Sequence, residues 1–397
     1  MKVIVFKPHT SIHDLRRLVA DEINRGFLHF GCDSIILDAG SEYFVDDINK
    51  TMNNQNVDLM VTFGTEPLTF IQVEGVPLVN RFKIPVISFF VDVPYCFPDR
   101  FNDVANHIVT VFDESYLKNF FNLCMPDYQT RCTALLTHAG ISAGVDLTTE
   151  QFEKRSNRLS YIASYIEKPI EKPWATINKK MVRELHEDVY NCMDDNTALD
   201  EAIIKVFDYN NINFGKELQK DMVTYIFQNV SWYDYAIYRN KMMDHLAENG
   251  YEVDIFGDGW EGKYDKYPNI QYKGSLHIVD TIKILNDYKV TLNPYITQHG
   301  THERIFFALA NGCQCITMGS TLFDKIFNGF KGVHGLSRKN YINDLDRKIK
   351  QALYKTDFNN VKKTNQYVLD NHMWKNRVEQ MICLWEANSI QIVPTYK

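Results

Sequence analysis

Most features that would take a chain of 397 residues out of the ordinary globular class are missing here. The eight cysteines, at positions 32, 96, 124, 132, 192, 313, 315 and 383, form no CxxC pair and no Cys/His spacing suited to a tetrahedral zinc site. Reduced thiols buried as small hydrophobes are therefore expected. Only six residues, Met1-Lys2-Val3-Ile4-Val5-Phe6, precede Lys7-Pro8-His9, too few for a signal-peptide core of ~7 to 15 apolar residues. No apolar run approaches the ~18 residues that span a bilayer. A cytoplasmic protein is expected, with peripheral membrane association left open through something this sequence does not show. Positive charge is also scarce. Lys plus Arg number 43 against 50 Asp plus Glu, a net charge of −7, whereas a broad nucleic-acid surface makes a domain basic. No duplex nucleic acid partner is expected. Neither internal repeats nor low-complexity tracts occur.

What the chain has is length for two or three domains, 45% hydrophobic and 13% aromatic residues, and two stretches of strand and helix alternation. Val3 to Phe6, Ser34 to Leu37, Leu59 to Phe63, Pro85 to Phe90 and Ile108 to Val111 are β-branched apolar runs that read as buried strands. Leu15, Leu18, Val19 and Ile23 recur at helical spacing, and Pro67 to Glu74 reads as a short helix. Strands separated by helices predict a parallel sheet covered on both faces, a Rossmann-like domain over residues 1–150. The polar stretch Thr148 to Asn157 reads as a linker. A second domain, 157–370, begins with the strand at Arg158 to Ala163. It contains a helical segment over about 173–249 that ends at the Asn249-Gly250 stop, then returns to alternation through Glu252 to Phe256, Ile270 to Tyr272, Val290 to Leu292 and Gln314 to Thr317. The remainder, 371–397, reads as a C-terminal helix that packs back on the N-terminal domain. The fold class is α/β, with ligands expected beyond the carboxyl ends of the strands and in the cleft that two such domains leave.

Two clusters could carry chemistry. Phe256-Gly257-Asp258-Gly259-Trp260 follows a strand. Its two glycines let backbone approach a ligand, although a tight turn uses the same residues and no third glycine completes a dinucleotide fingerprint. Leu292-Asn293-Pro294-Tyr295 and then Gly300 to Gly312 read as strand, polar loop and helix, with Thr301 as N-cap. A helix N-terminus attracts a phosphate. His302, Glu303 and Arg304 would add two potential cations and a carboxylate, Glu303 accepting from sugar or ribose hydroxyls and Arg304 pairing with a diphosphate. A capped surface helix accounts for Glu303 as well, but the helix dipole opposes Arg304 there.

In order along the chain, Phe256-Gly257-Asp258-Gly259-Trp260, Tyr272-Lys273-Gly274-Ser275, Leu292-Asn293-Pro294 and Thr301-His302-Glu303-Arg304-Ile305-Phe306 with Ala308, Ala310 and Gly312 resemble the C-terminal half of bacterial GT-B glycosyltransferases of the spore-maturation-protein, or glycosyl transferases group 1, type. His372-Met373-Trp374 with Asn376-Arg377 is similar to the element that closes such domains. The resemblance spans roughly residues 235 to 380, while the first half matches in outline. It implies two Rossmann-like domains facing each other across a cleft, and hexosyl or N-acetylhexosaminyl transfer from a nucleotide-diphosphate sugar to a glycan, glycolipid or protein. No cofactor beyond that donor substrate is implied. Gly257, Asp258, Gly259, Trp260, Lys273, Asn293, Thr301, His302, Glu303 and Arg304 would bind the donor. The sequence departs from the related retaining pattern at Phe307, where a Glu commonly stands.

A departing diphosphate gains negative charge that the enzyme must stabilise. Helix amides, Arg304, Lys273 and His302 could do so without a metal, since the nearest Asp-x-Asp form, Asp344-Leu345-Asp346, falls at a helix start. A general base near the acceptor hydroxyl is also needed for inversion. Asp92 and His138, at strand or loop ends, join Glu303 as catalytic candidates; a capping Asp and a satisfied histidine are the plain alternatives. A nucleotide-sugar epimerase on the same plan and a non-catalytic sugar-nucleotide-binding protein are the competing functions.

Overall fold

The computed structural model describes residues 1–9, 12–54, 56–64, 66, 72–73, 75–77, 84–101, 107–126, 132–296 and 299–389. Two compact units divide the chain: one holds residues 1–112, 116–137 and 373–397, the other 113–115 and 138–372. The break falls between Thr137 and His138 rather than within the polar stretch 148–157.

In the first unit the elements are β1 (Lys2–Lys7), α1 (Leu15–His29), β2 (Asp33–Asp38), α2 (Phe44–Asn54), β3 (Leu59–Phe63), the two-residue strands β4 (Gln72–Val73) and β5 (Val76–Pro77), β6 (Val86–Phe89), β7 (His107–Val111), α3 (Glu114–Cys124, shared at its start with the second unit) and β8 (Cys132–Leu135). The helix expected over 67–74 lies largely outside the described residues, and its positions 72–73 are extended. Strand order is β2-β1-β3-β6-β7-β8, with every pairing parallel. Val3 to Phe6 are wholly buried, as a central parallel strand covered on both faces requires.

The polar stretch after residue 147 is ordered structure. Thr148 caps α4 (Thr149–Lys154) in a reciprocal box with Gln151, and Ser156 and Asn157, read as the end of the linker, already belong with Arg158 to β9 (Ser156–Ile162). The helical segment follows as α5 (Lys180–Cys192), α6 (Leu199–Tyr209) and α7 (Lys216–Glu248). At 33 residues α7 is about 50 Å long. Then come β10 (Val253–Phe256), β11 (Ile270–Tyr272), α8 (Ile278–Ile284), β12 (Tyr288–Asn293), α9 (Glu303–Ala310), β13 (Gln314–Met318), α10 (Thr321–Phe327), β14 (Val333–Leu336), α11 (Tyr341–Tyr354) and α12 (Phe358–Asn371). Their sheet runs β11-β10-β9-β12-β13-β14 and is parallel throughout. Counted from β9 this is the doubly wound order 3-2-1-4-5-6, whose direction reverses between β9 and β12.

The last helix, α13 (Trp374–Ser389), belongs to the first unit. It lies so close to α1 that a Cβ on Gly26 would stand 2.6 Å from Val378. The Trp374 ring meets Phe89 edge-on at 5.3 Å, and the Trp385 indole donates to the Asp58 carbonyl. All eight cysteines are free thiols. Among the described residues no helix is long and apolar enough to cross a membrane.

Candidate active site of the second unit

The crevice expected in a doubly wound sheet lies outside the carboxyl ends of the strands at the reversal, here the segments after β9, β10 and β12. After β10 the backbone turns sharply at Gly257 (φ 137°) and Gly259 (φ 82°). A Cβ on Gly257 would stand 2.3 Å from the Ala163 carbonyl oxygen, so only glycine lets this turn lie against the end of β9. The Gly257 N–H donates to the Gly274 carbonyl. Trp260, expected to face a donor, is instead core. Its indole N–H donates to the Ala163 carbonyl at 2.6 Å and its ring packs on Tyr161, Tyr165 and Tyr264; its role is to hold the turn. Asp258 is exposed, and its carbonyl accepts from Tyr165 N–H. Lys273 lies just beyond the edge strand, half exposed, bonded to Gln271 and 4.0 Å from Asp254.

After β12 the chain enters the loop that ends at α9. The N-cap of α9 is His302 and not Thr301. His302 has extended dihedrals (φ −123°, ψ 145°) and its Nδ1 accepts from the Arg304 N–H. An imidazole nitrogen caps here as a hydroxyl would, which leaves Thr301 Oγ1 buried without a hydrogen-bond partner. Because Nδ1 is the acceptor, the proton of the neutral ring sits on Nε2, which points at Glu303 Oε1, 3.2 Å away. Burial first, then the positive charges of Arg304, His138 and Arg239, hold His302 well below the usual imidazole range, so it is neutral at physiological pH. The Tyr295 ring lies over it at 4.0 Å.

His138 closes the other side of Glu303. Its Nδ1 donates to the Thr301 carbonyl at 3.2 Å, and its Nε2 stands 3.6 Å from Glu303 Oε2. Each Glu303 oxygen thus faces one imidazole, His302 at 3.2 Å and His138 at 3.6 Å. His138 and Glu303, 165 positions apart in sequence, are brought together as the two candidate catalytic groups of this unit. Asp92, the third candidate, belongs to the first unit, just beyond β6, where its carboxylate is 3.6 Å from Arg100.

Arg304 departs furthest from surface behaviour. Its Nη1 is buried with no hydrogen-bond partner. Burial lowers its pKa, Glu303 works against that, and the charge of Arg239 adds to it. Arg239, in the middle of α7, has no sequence motif to mark it. Its guanidinium donates to the Ser164 carbonyl just past β9 and lies over the Tyr235 ring. Tyr161 and Tyr235, whose hydroxyl pKa values burial raises, both feel the two arginines. Two guanidinium groups thus share one locus, where the Glu303 carboxylate offsets part of their charge and leaves it positive. Asn293 donates to Thr317 Oγ1 while its Oδ1 is buried and unpaired. It lines, with Arg304 and Phe307, a void of about 10 Å³. Phe307, at the position where a Glu is common in related sequences, is 1% exposed, so no second carboxylate stands on this helix face. Gly312 closes α9 at φ 67°, where a Cβ would meet Leu147 at 2.7 Å.

Residues 239–383 match the family model described as "Glycosyl transferase-like". No curated protein matches the chain in sequence. Solved structures that match the fold include the sucrose-phosphate synthase of Thermosynechococcus elongatus (TM-score 0.57, 9% identity, 98% of this chain and 100% of that one). An alpha-glucosyltransferase in complex with UDP (TM-score 0.53, 10% identity, 97% and 100%) matches similarly, as does Anabaena HepE in complex with UDP and glucose (TM-score 0.53, 9% identity, 98% and 100%). Two parallel Rossmann-like sheets that align over nearly the whole chain with such proteins give this chain the GT-B fold, and its glycosyl transferase-like region contains Arg239, Arg304, Glu303 and the capped α9.

Proposed function

We propose that the second unit binds a nucleoside-diphosphate sugar, with Arg304 and Arg239 at the diphosphate and Glu303 at hydroxyls of the donor sugar or ribose. The observation that carries this reading is the pair of guanidinium groups at one buried locus, with Arg304 Nη1 unpartnered. Glu303 offsets one of the two positive charges, burying polar groups without acceptors is unfavourable, and a diphosphate would supply the remaining charge and the acceptors. Structures aligned with this chain hold UDP, one of them with glucose. The glycine turn at 257 and 259 brings backbone to the same end of the sheet, and Asp258, Lys273, Asn293, Thr301 and His302 complete the proposed donor set.

Sugar transfer breaks the bond from the anomeric carbon to the diphosphate oxygen. Positive charge develops on the sugar ring and negative charge on the leaving group. In this proposal the two arginines meet the second charge, so transfer proceeds without a divalent metal. Neutral His302 keeps its Nε2 proton on Glu303 and aligns the carboxylate for the sugar. His138, 3.6 Å from the same carboxylate, is the proposed second catalytic group. Asp92, on the first unit, is the proposed acceptor-side base, and the acceptor is a glycan, glycolipid or protein.

The test is to incubate the purified protein with nucleotide sugars of each base, with and without EDTA, and to follow donor consumption and thermal unfolding. A raised melting temperature with at least one nucleotide sugar, unaffected by EDTA, is expected. No shift with any donor would sink the donor site, loss of turnover in EDTA would remove the metal-free step, and interconversion of free donor sugars would favour an epimerase. Duplex DNA included as acceptor checks the class of DNA-bound alpha-glucosyltransferase that also shares this fold.

A further inference from the structure

The loop from His299 to His302 lies outside helix and strand, yet it fixes the Thr301 carbonyl on His138 and the cap of α9. His299 is where it is anchored. Nε2 stands 3.0 Å from Glu201 Oε2 and Nδ1 2.9 Å from Thr321 Oγ1, so both ring nitrogens are used. Glu201 lies in the first turn of α6, and the same Oε2 accepts the Ala198 N–H that starts that helix. Thr321 opens α10, whose cap Ser320 donates to the neighbouring Gly300 carbonyl. On the remaining side, the His299 carbonyl accepts the Glu114 N–H, and Gly300 bridges Asp113.

Most of these bonds use loop backbone, and several side chains could satisfy them. The Glu201 contact differs because it joins the loop to the helical segment inserted between β9 and β10, the segment that also delivers Arg239. We propose that His299, held between Glu201 and Thr321, is a positioning residue for the donor site, and that through it the affinity for a nucleoside diphosphate depends on where α6 lies. This rests on the reading of Glu303 and Arg304 as donor ligands. A loop without regular structure gains precision from side-chain clamps, and small misplacements of binding groups are costly. By reciprocity, a donor that settles the loop also tightens the Glu201 contact.

The test titrates uridine, guanosine, thymidine and adenosine diphosphate separately against the full chain and against His299→Ala, Glu201→Ala, the double variant, Thr321→Val and Glu201→Gln, by calorimetry alongside melting curves. Each alanine variant should weaken the tightest diphosphate about 5- to 10-fold, and the double variant should be no weaker than the worse single one. Glu201→Gln, which keeps an acceptor for Nε2–H, should stay within about twofold of wild type. Thr321→Val, which keeps shape and fold, should also weaken binding, which covers the case of a misfolded alanine variant. A purely structural clamp would lower Tm and leave Kd unchanged. Wild-type binding with unchanged Kd in the single variants, additive losses in the double variant, or Glu201→Gln as weak as Glu201→Ala would overturn the positioning role alone. No diphosphate binding by wild type would overturn the donor reading and this inference with it.

Discussion

Replacing Arg304 by Met should change stability and ligand binding in opposite directions. The guanidinium Nη1 is buried and unpartnered, and a second arginine opposes its charge. An unsatisfied buried polar group costs about 1–3 kcal/mol. Methionine matches much of the side chain's length and adapts to irregular space, so a net gain of about 1 kcal/mol is expected once imperfect packing is allowed for. In a domain of this size that raises Tm by roughly 2–4 °C. The same substitution removes charge-assisted hydrogen bonds of about 1.5–3 kcal/mol, which weakens a nucleoside diphosphate about 10- to 150-fold, while the corresponding nucleoside, lacking phosphate, loses less than about twofold. Differential scanning fluorimetry without ligand and calorimetric titration with both ligands measure the two effects. A lower Tm together with unchanged diphosphate affinity would refute the reasoning, because Arg304 would then be a satisfied structural residue.

Gly257→Ala should cost about 3 kcal/mol or more, since the new Cβ meets backbone at 2.3 Å and φ is 137°. A Tm lowered by roughly 6–12 °C is expected, and a fall under about 2 °C would show that the turn relaxes cheaply. His107, 0% exposed on β7, is pushed down to about 3 by burial. Its folded pKa lies below the unfolded value near 6.5, so the unfolded chain binds the extra proton and stability is complete above about pH 6.5 and falls as pH drops. Between pH 7 and 5 this one group removes about 2 kcal/mol. His107→Leu should flatten that part of a urea-unfolding pH series, and an unchanged slope would assign the acid sensitivity elsewhere. His334, lowered to about 4, and His302 act in the same direction.

Strands were legible wherever a run of apolar residues is buried on both faces: the readings at Val3 to Phe6, Leu59 to Phe63 and Ile108 to Val111 fall on β1, β3 and β7. The helical segment over 173–249 was legible from its period, and α9 from its punctuation. Legibility ended where a residue's partner is remote. Ser156 and Asn157 look like linker because they are polar, yet they open β9, where the neighbouring Arg158 spends its charge on Asp254 of an adjacent strand. Thr301 is the better cap by propensity, but the chain enters the helix one residue later, where imidazole Nδ1 does the same work. Trp260 reads as a donor contact because it follows the glycine turn. The turn in fact folds its indole back onto the β9 end. Gly26 looks like a flaw in a helix until α13, some 350 residues later, is seen against it.

Arg239 shows why half of the proposed donor locus could not be read from a motif. It lies 65 positions from Arg304, inside a helix where an arginine ordinarily marks a solvated face, and only tertiary structure turns it toward Ser164 and the two buried tyrosines. With His302 kept neutral by burial first and then by the positive groups around it, the formal charges of Arg239, Arg304 and Glu303 sum to +1 in a chain of net charge −7. Protonating His302 would make that locus more attractive to an anion but would also add a third buried cation, which is why its proton is excluded before ligand arrives. Under the proposed reading that charge would favour a small anion able to pair with both guanidinium groups over an extended polyanion that also meets a chain of net negative charge. In the proposed reading the long helix that supplies Arg239 and the α6 that holds His299 belong to one insertion, so that charge neutralisation and sugar positioning would depend on one segment of the chain.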